Sequence, residues 1–105
     1  MNVRGAILAS ATLIESTPTL WTFYNSMVPA AGDHGCFIGF ACAFLGFAPT
    51  CRIEAECYRV FGVSESQVYE RMHSLCGNAD WVRDPMTAVR TMRLYADTYH
   101  PAVAA

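Results

Sequence analysis

The segment HGCFIGFACAFLG, His34 to Gly46, constrains the fold more than any other part of the chain. From Cys36 to Ala48, thirteen consecutive residues carry no charge. A helix built from them is apolar on every side and has to be surrounded by other elements. It is too short to span a bilayer, which takes about 20 apolar residues. The segment therefore predicts a central core helix over 36–47. Gly39 and Gly46 lower its intrinsic propensity and let a neighbouring helix approach closely.

Four further helices are predicted around it. Val3 to Ser16 places Ile7, Leu8, Ala11 and Ile14 on one apolar face. Thr17-Pro18 ends that helix, because the residue before a proline avoids the helical region. An irregular connection over 17–35 follows, carrying Trp21, Phe23 and Tyr24. Thr50 can cap a helix from Cys51 to Phe61, which Gly62 ends. Ser64-Glu65-Ser66-Gln67 has the form of a capping box, opening a helix that runs to Cys76. Asp84-Pro85 supplies an acidic cap and a proline at the first helical position. Val89, Met92, Leu94, Tyr95 and Tyr99 are the expected buried side of that last helix. Pro101 ends it, and 101–105 read as a frayed tail. The fold class is an all-α, compact single-domain bundle of about five helices spanning 1–105.

Composition narrows the function classes. Apolar residues make up 53% of the chain and charged residues 15%, which argues against disorder. The formal charge of −2 gives no bulk attraction to nucleic acid or anionic lipid. The N-terminal MNVRGAILASATLIES imitates a secretory leader, but Ser10 and Thr12 interrupt its apolar run and it fits an amphipathic helix better. The five cysteines are then expected as reduced thiols in a cytoplasmic protein, acting mainly as small apolar filler. Membrane association is not expected.

Three constellations bear on chemistry. Cys36 stands at a helix start, where amides and the dipole lower a thiol pKa. His34 or His73 is a candidate base, with Asn78, Asp80 or Asp84 to orient it. Papain-like enzymes place their cysteine in this way, but their longer signature around it is absent here. The plainer reading is that Cys36 begins the buried helix. His73 and Cys76 are three apart on one helix face, and His34 with Cys36 would complete a Cys₂His₂ zinc set. No Cys-x-x-Cys pair supports that set, so neither metal nor cofactor is expected.

The third constellation is Glu54 to His73, whose FGVSESQVYERM resembles the turn and second helix of a helix-turn-helix. Gly62 would occupy the turn, Val63 and Val68 the buried positions, and Ser64 to Gln67 the groove-facing start. Tyr58 stands where a small residue is usual. Glu54, Glu56, Glu65 and Glu70 oppose Arg52, Arg59 and Arg71, whereas a phosphate-binding surface is basic. Direct DNA binding therefore ranks second. The uncharged aromatic loop offers Trp21, Phe23 and Tyr24, residue types enriched at interface centres. A homodimer sharing an apolar face is a further use of the apolar content.

The chain also resembles a loosely defined family of small uncharacterised proteins from actinobacteria and their phages. The matching residues are Leu13-Ile14-Glu15, Trp21, Cys36-Phe37-Ile38-Gly39-Phe40-Ala41, Gly62-Val63, and then Asn78, Asp80, Arg83 and Asp84. The segment between Gly62 and Asn78 is longer here. The resemblance brings no activity with it; it implies a bacterial or phage cytoplasmic protein. By analogy with anti-CRISPR proteins, such a protein grips a host macromolecule.

The residues thus point to a non-enzymatic protein that blocks or adapts a macromolecular partner. Its expected contact surface is Trp21, Phe23 and Tyr24 with an acidic side of Glu54, Glu56, Glu65, Glu70 and Asp84. A helix-turn-helix regulator over 54–73 is the first alternative, and a Cys36-dependent hydrolase with His34 or His73 the second.

Overall fold

The computed structural model describes residues 1–21, 37–46 and 53–102, with the backbone alone for 53–56. Within them the chain forms α1 (Val3–Ser16), a short 3-10 turn (Pro18–Leu20), α2 (Phe37–Phe44), α3 (Ile53–Phe61), α4 (Glu65–Cys76) and α5 (Pro85–Tyr99). The architecture is an all-α single-domain bundle, and none of these helices is long and apolar enough to cross a membrane. His34, Cys36, Phe23, Tyr24, Thr50 and the side chains of Glu54 and Glu56 lie outside the described residues.

Local chemistry sets the helix starts. Asn2 caps α1, its side-chain oxygen accepting from the Gly5 amide at 2.8 Å. At α4 the Ser64 hydroxyl accepts from the Gln67 amide at 3.2 Å, while Gln67 Oε1 accepts from the Ser64 amide at 2.9 Å. Both donors would otherwise be unsatisfied first-turn amides. Asp84 caps α5 by accepting from the Met86 amide at 3.3 Å, and the Thr87 hydroxyl donates to its other oxygen.

Packing places α1 most extensively against α5, with α2 against α1 and α3, and α4 against α5 and α3. Phe37, Phe61 and Tyr95 bring α2, α3 and α5 together in one aromatic cluster, with ring centres 5.2 to 5.8 Å apart. Phe37 to Cys42 are all buried, as the apolar run predicted. Each large side chain taken from water there contributes at most about 1.5–3 kcal/mol.

Three expected core residues are corrected. Phe44 is 37% exposed, Leu94 48% and Tyr99 37%. On α5 the buried set is Thr87, Ala88, Val89, Thr91, Met92, Tyr95 and Ala96. Leu94 falls two residues from both Met92 and Ala96, which at 100° per residue turns it away from the core. Phe44 ends α2 just before Gly46, whose φ of +82° closes the helix earlier than the expected 47. The expected start of the next helix at Cys51 lies outside the described residues, within which α3 runs from Ile53.

Candidate functional site

Trp21 is the described member of the expected aromatic contact loop, and the structure places it inside. It is 8% exposed, its indole N–H donates to the Val82 carbonyl at 2.9 Å, and its ring meets Trp81 edge-on at 6.4 Å. A buried indole needs such an acceptor, and the one it finds lies on the turn before α5. Trp21 thereby fastens the end of α1 to that turn.

Of the expected metal or catalytic set, His73 and Cys76 sit on α4, and Asn78, Asp80 and Asp84 lie in the connection from α4 to α5. His73 Nδ1 accepts the Trp81 indole N–H at 3.0 Å, and the Cys76 thiol donates to the His73 carbonyl at 3.3 Å. Among the described residues, no three His, Cys, Asp or Glu side chains gather around a common point. Cys42 and Cys57 are fully buried in the core.

Of the expected acidic side, Glu65 is half-buried at the start of α4 and Glu70 is exposed one turn further on. Asp84 lies apart from them as the α5 cap. The Thr87 hydroxyl, bonded to its carboxylate, holds Asp84 below the usual carboxylate range.

α3 and α4 meet at a helix-turn-helix corner. Gly62 takes φ +77° there and Val68 is fully buried, as expected for the turn, whereas Val63, expected to be buried, is only half-buried. Tyr58 and Arg59 are exposed on α3.

Among the described residues, an organised exposed feature is the face between α4 and the end of α5. The Arg71 guanidinium carbon lies 4.1 Å from the centre of the Tyr99 ring and 5.9 Å from that of Tyr95. Arg71 also donates to the Tyr95 hydroxyl at 3.2 Å. Burial pushes that hydroxyl's pKa up, so it stays protonated, although Arg71 opposes the shift. Beside this stack an open depression of about 260 Å³ is lined by Gln67, Glu70, Arg71, Ser74 and Tyr99.

Sequence patterning does not reveal this arrangement. It places Arg71 among the charges of a DNA face and Tyr99 among the core residues. The available signal is an arginine on α4 and a pair of tyrosines four apart on α5, on helices that a short turn makes neighbours. No protein-family model, curated protein or solved structure matches the chain.

Proposed function

We propose that the protein is a non-enzymatic binding module that docks a protein partner on the α4–α5 face, thereby blocking or adapting it. The single observation that carries this reading is the Arg71–Tyr99 stack at 4.1 Å beside the open depression. Arginine and tyrosine are enriched among the residues that dominate binding energies. Here the arginine is already held by a ring and a hydroxyl, so less side-chain freedom is lost on binding. Gln67, Glu70 and Ser74 give the depression a polar rim.

Glu65 and Glu70 on α4 support the narrower form of the proposal, in which the partner is a nucleic-acid-binding complex and acidic groups occupy sites used by phosphates. Inhibition of a host defence complex in the bacterial cytoplasm, by a protein of bacterial or phage type, belongs to that narrower form.

The test is affinity capture with the whole chain, followed by titration of the recovered protein with wild type, Tyr99→Ala and Glu70→Lys. A central contact residue costs about 2 kcal/mol or more on truncation, roughly thirtyfold in affinity. Unchanged affinity in both variants would exclude this face.

A helix-turn-helix regulator is the second reading, favoured by the Gly62 turn and the buried Val68. Charge weighs against it: Glu65 and Glu70 stand on the same helix as Arg71, whose guanidinium is stacked on Tyr99. Titration of a labelled DNA duplex at low salt separates the two readings, since phosphate-driven binding is strongest there.

A further inference from the structure

His100 follows α5 as its cap. Its amide donates to the Ala96 carbonyl at 3.0 Å, and its own carbonyl accepts from Arg4 at 3.4 Å. With the main chain held on both sides, the ring is set against the face of Tyr95, centres 5.9 Å apart and planes at 20°. It meets the edge of Phe61, at the end of α3, at 6.2 Å. The ring nitrogen Nε2 is buried and has no hydrogen-bond partner among the described residues.

Among the described residues, the charged and titratable groups around this ring are few. α4 contributes Arg71, which is bonded to the Tyr95 hydroxyl and stacked on Tyr99. α5 contributes Tyr95, Tyr99 and Asp97, the last paired with Arg4 of α1 at 2.9 Å. α3 contributes the uncharged Phe61 and, near Tyr95, the buried Cys57 thiol. The carboxylate of this group, Asp97, is thus already paired with Arg4, while Arg71 presents a positive charge.

We propose that His100 is an acid-sensitive catch that fastens the end of α5 to the α3–α4 corner while its imidazole is neutral, and releases it on protonation. A neutral ring tolerates this apolar seat. A protonated ring has a charged N–H at Nε2 with no acceptor among the described residues, and the Arg71 guanidinium repels it. Burial, and secondarily the Arg71 charge, lower the His100 pKa from its ordinary value, in agreement with that geometry.

The sign follows from linkage. The unfolded or undocked chain takes up the proton at higher pH than the docked ring does. The catch is therefore intact above the ordinary histidine value of 6.5, and its contribution is lost as pH falls from there through the lowered value. Opening it would also disturb Tyr99 and the Arg71 stack, which border the depression. The inference goes beyond partner binding and stands without it.

The experiment compares thermal midpoints of wild type and His100→Phe between about pH 8 and about pH 5. Phenylalanine keeps the ring against Tyr95 and Phe61 but cannot be protonated. The expected result is a wild-type midpoint that falls on acidification and a variant whose fall is less than half as large. Equal falls would overturn the proposal. Proton NMR of the His100 ring in the wild-type chain tests the catch without relying on a variant that folds. Titration below the ordinary histidine range supports the catch, and titration at or above that range overturns it.

Discussion

Trp81 donates its indole N–H to Nδ1 of His73 at 3.0 Å, joining the turn before α5 to the exposed side of α4. Trp81 is 1% exposed, and Tyr69 stacks on it with ring centres 5.9 Å apart. An Nδ1 that accepts a hydrogen bond belongs to a neutral imidazole protonated on Nε2. Nitrogen NMR at neutral pH should find that tautomer, and an Nδ1–H signal would contradict the bond. His73→Ala removes the acceptor and is expected to cost about 1–3 kcal/mol in urea unfolding. His73→Asn, whose side-chain oxygen lies close to the place of Nδ1, should recover part of that loss.

The Phe37–Cys42 segment is expected to be the least tolerant part of the described chain. Phe37→Ala opens a cavity between Phe61 and Tyr95 and should cost about 3–5 kcal/mol. Phe40 is 3% exposed, so Phe40→Asp buries a carboxylate with no partner and should abolish cooperative melting. A Phe40→Asp chain with the wild-type circular dichroism and melting curve would refute the core assignment.

Asp84 should contribute an acid-dependent increment of stability through the α5 cap. Its folded-state pKa is lowered, first by the Thr87 hydroxyl. That contribution is complete above the ordinary carboxylate range and is lost as pH falls through the lowered value. Asp84→Asn keeps a capping oxygen without the titration. The difference in midpoint between the two proteins should be steady near neutrality and shrink in strong acid, as read by melting curves from about pH 6 to about pH 2.

Gly62 is required for its backbone and not for space. Its φ is +77°, and a Cβ placed there would meet nothing within 4 Å. Gly62→Ala should therefore cost about 1–2 kcal/mol, the left-handed penalty of an L-residue, and Gly62→Asn less. Chemical denaturation measures both. A cost for alanine well above that range would mean that the α3–α4 corner packs more tightly than its geometry indicates.

Features decided within four residues of one another were legible in the sequence. The Ser64–Gln67 capping box, the Asp84-Pro85 start and the bounds of α1 all rest on bonds between near neighbours, which tertiary packing reinforces without choosing them. The burial of Phe37 to Cys42 was legible for a different reason: a segment apolar on every side has one stable environment. The α4–α5 face was not legible, because an arginine and a tyrosine each have several reasonable places in a small helical protein.

The sequence by itself determined an all-α chain, where most of its helices begin, and which segment had to be enclosed. Only the tertiary structure decided which aromatic residues became core and which became surface. Trp21 is drawn inside because an acceptor 61 residues away, the Val82 carbonyl, satisfies its indole. Tyr99 stays partly exposed because α5 ends there and Arg71 covers its ring. Each aromatic residue had favourable apolar area to bury. What separated them was the geometry of distant hydrogen-bond partners and helix ends, which is fixed only when the helices pack.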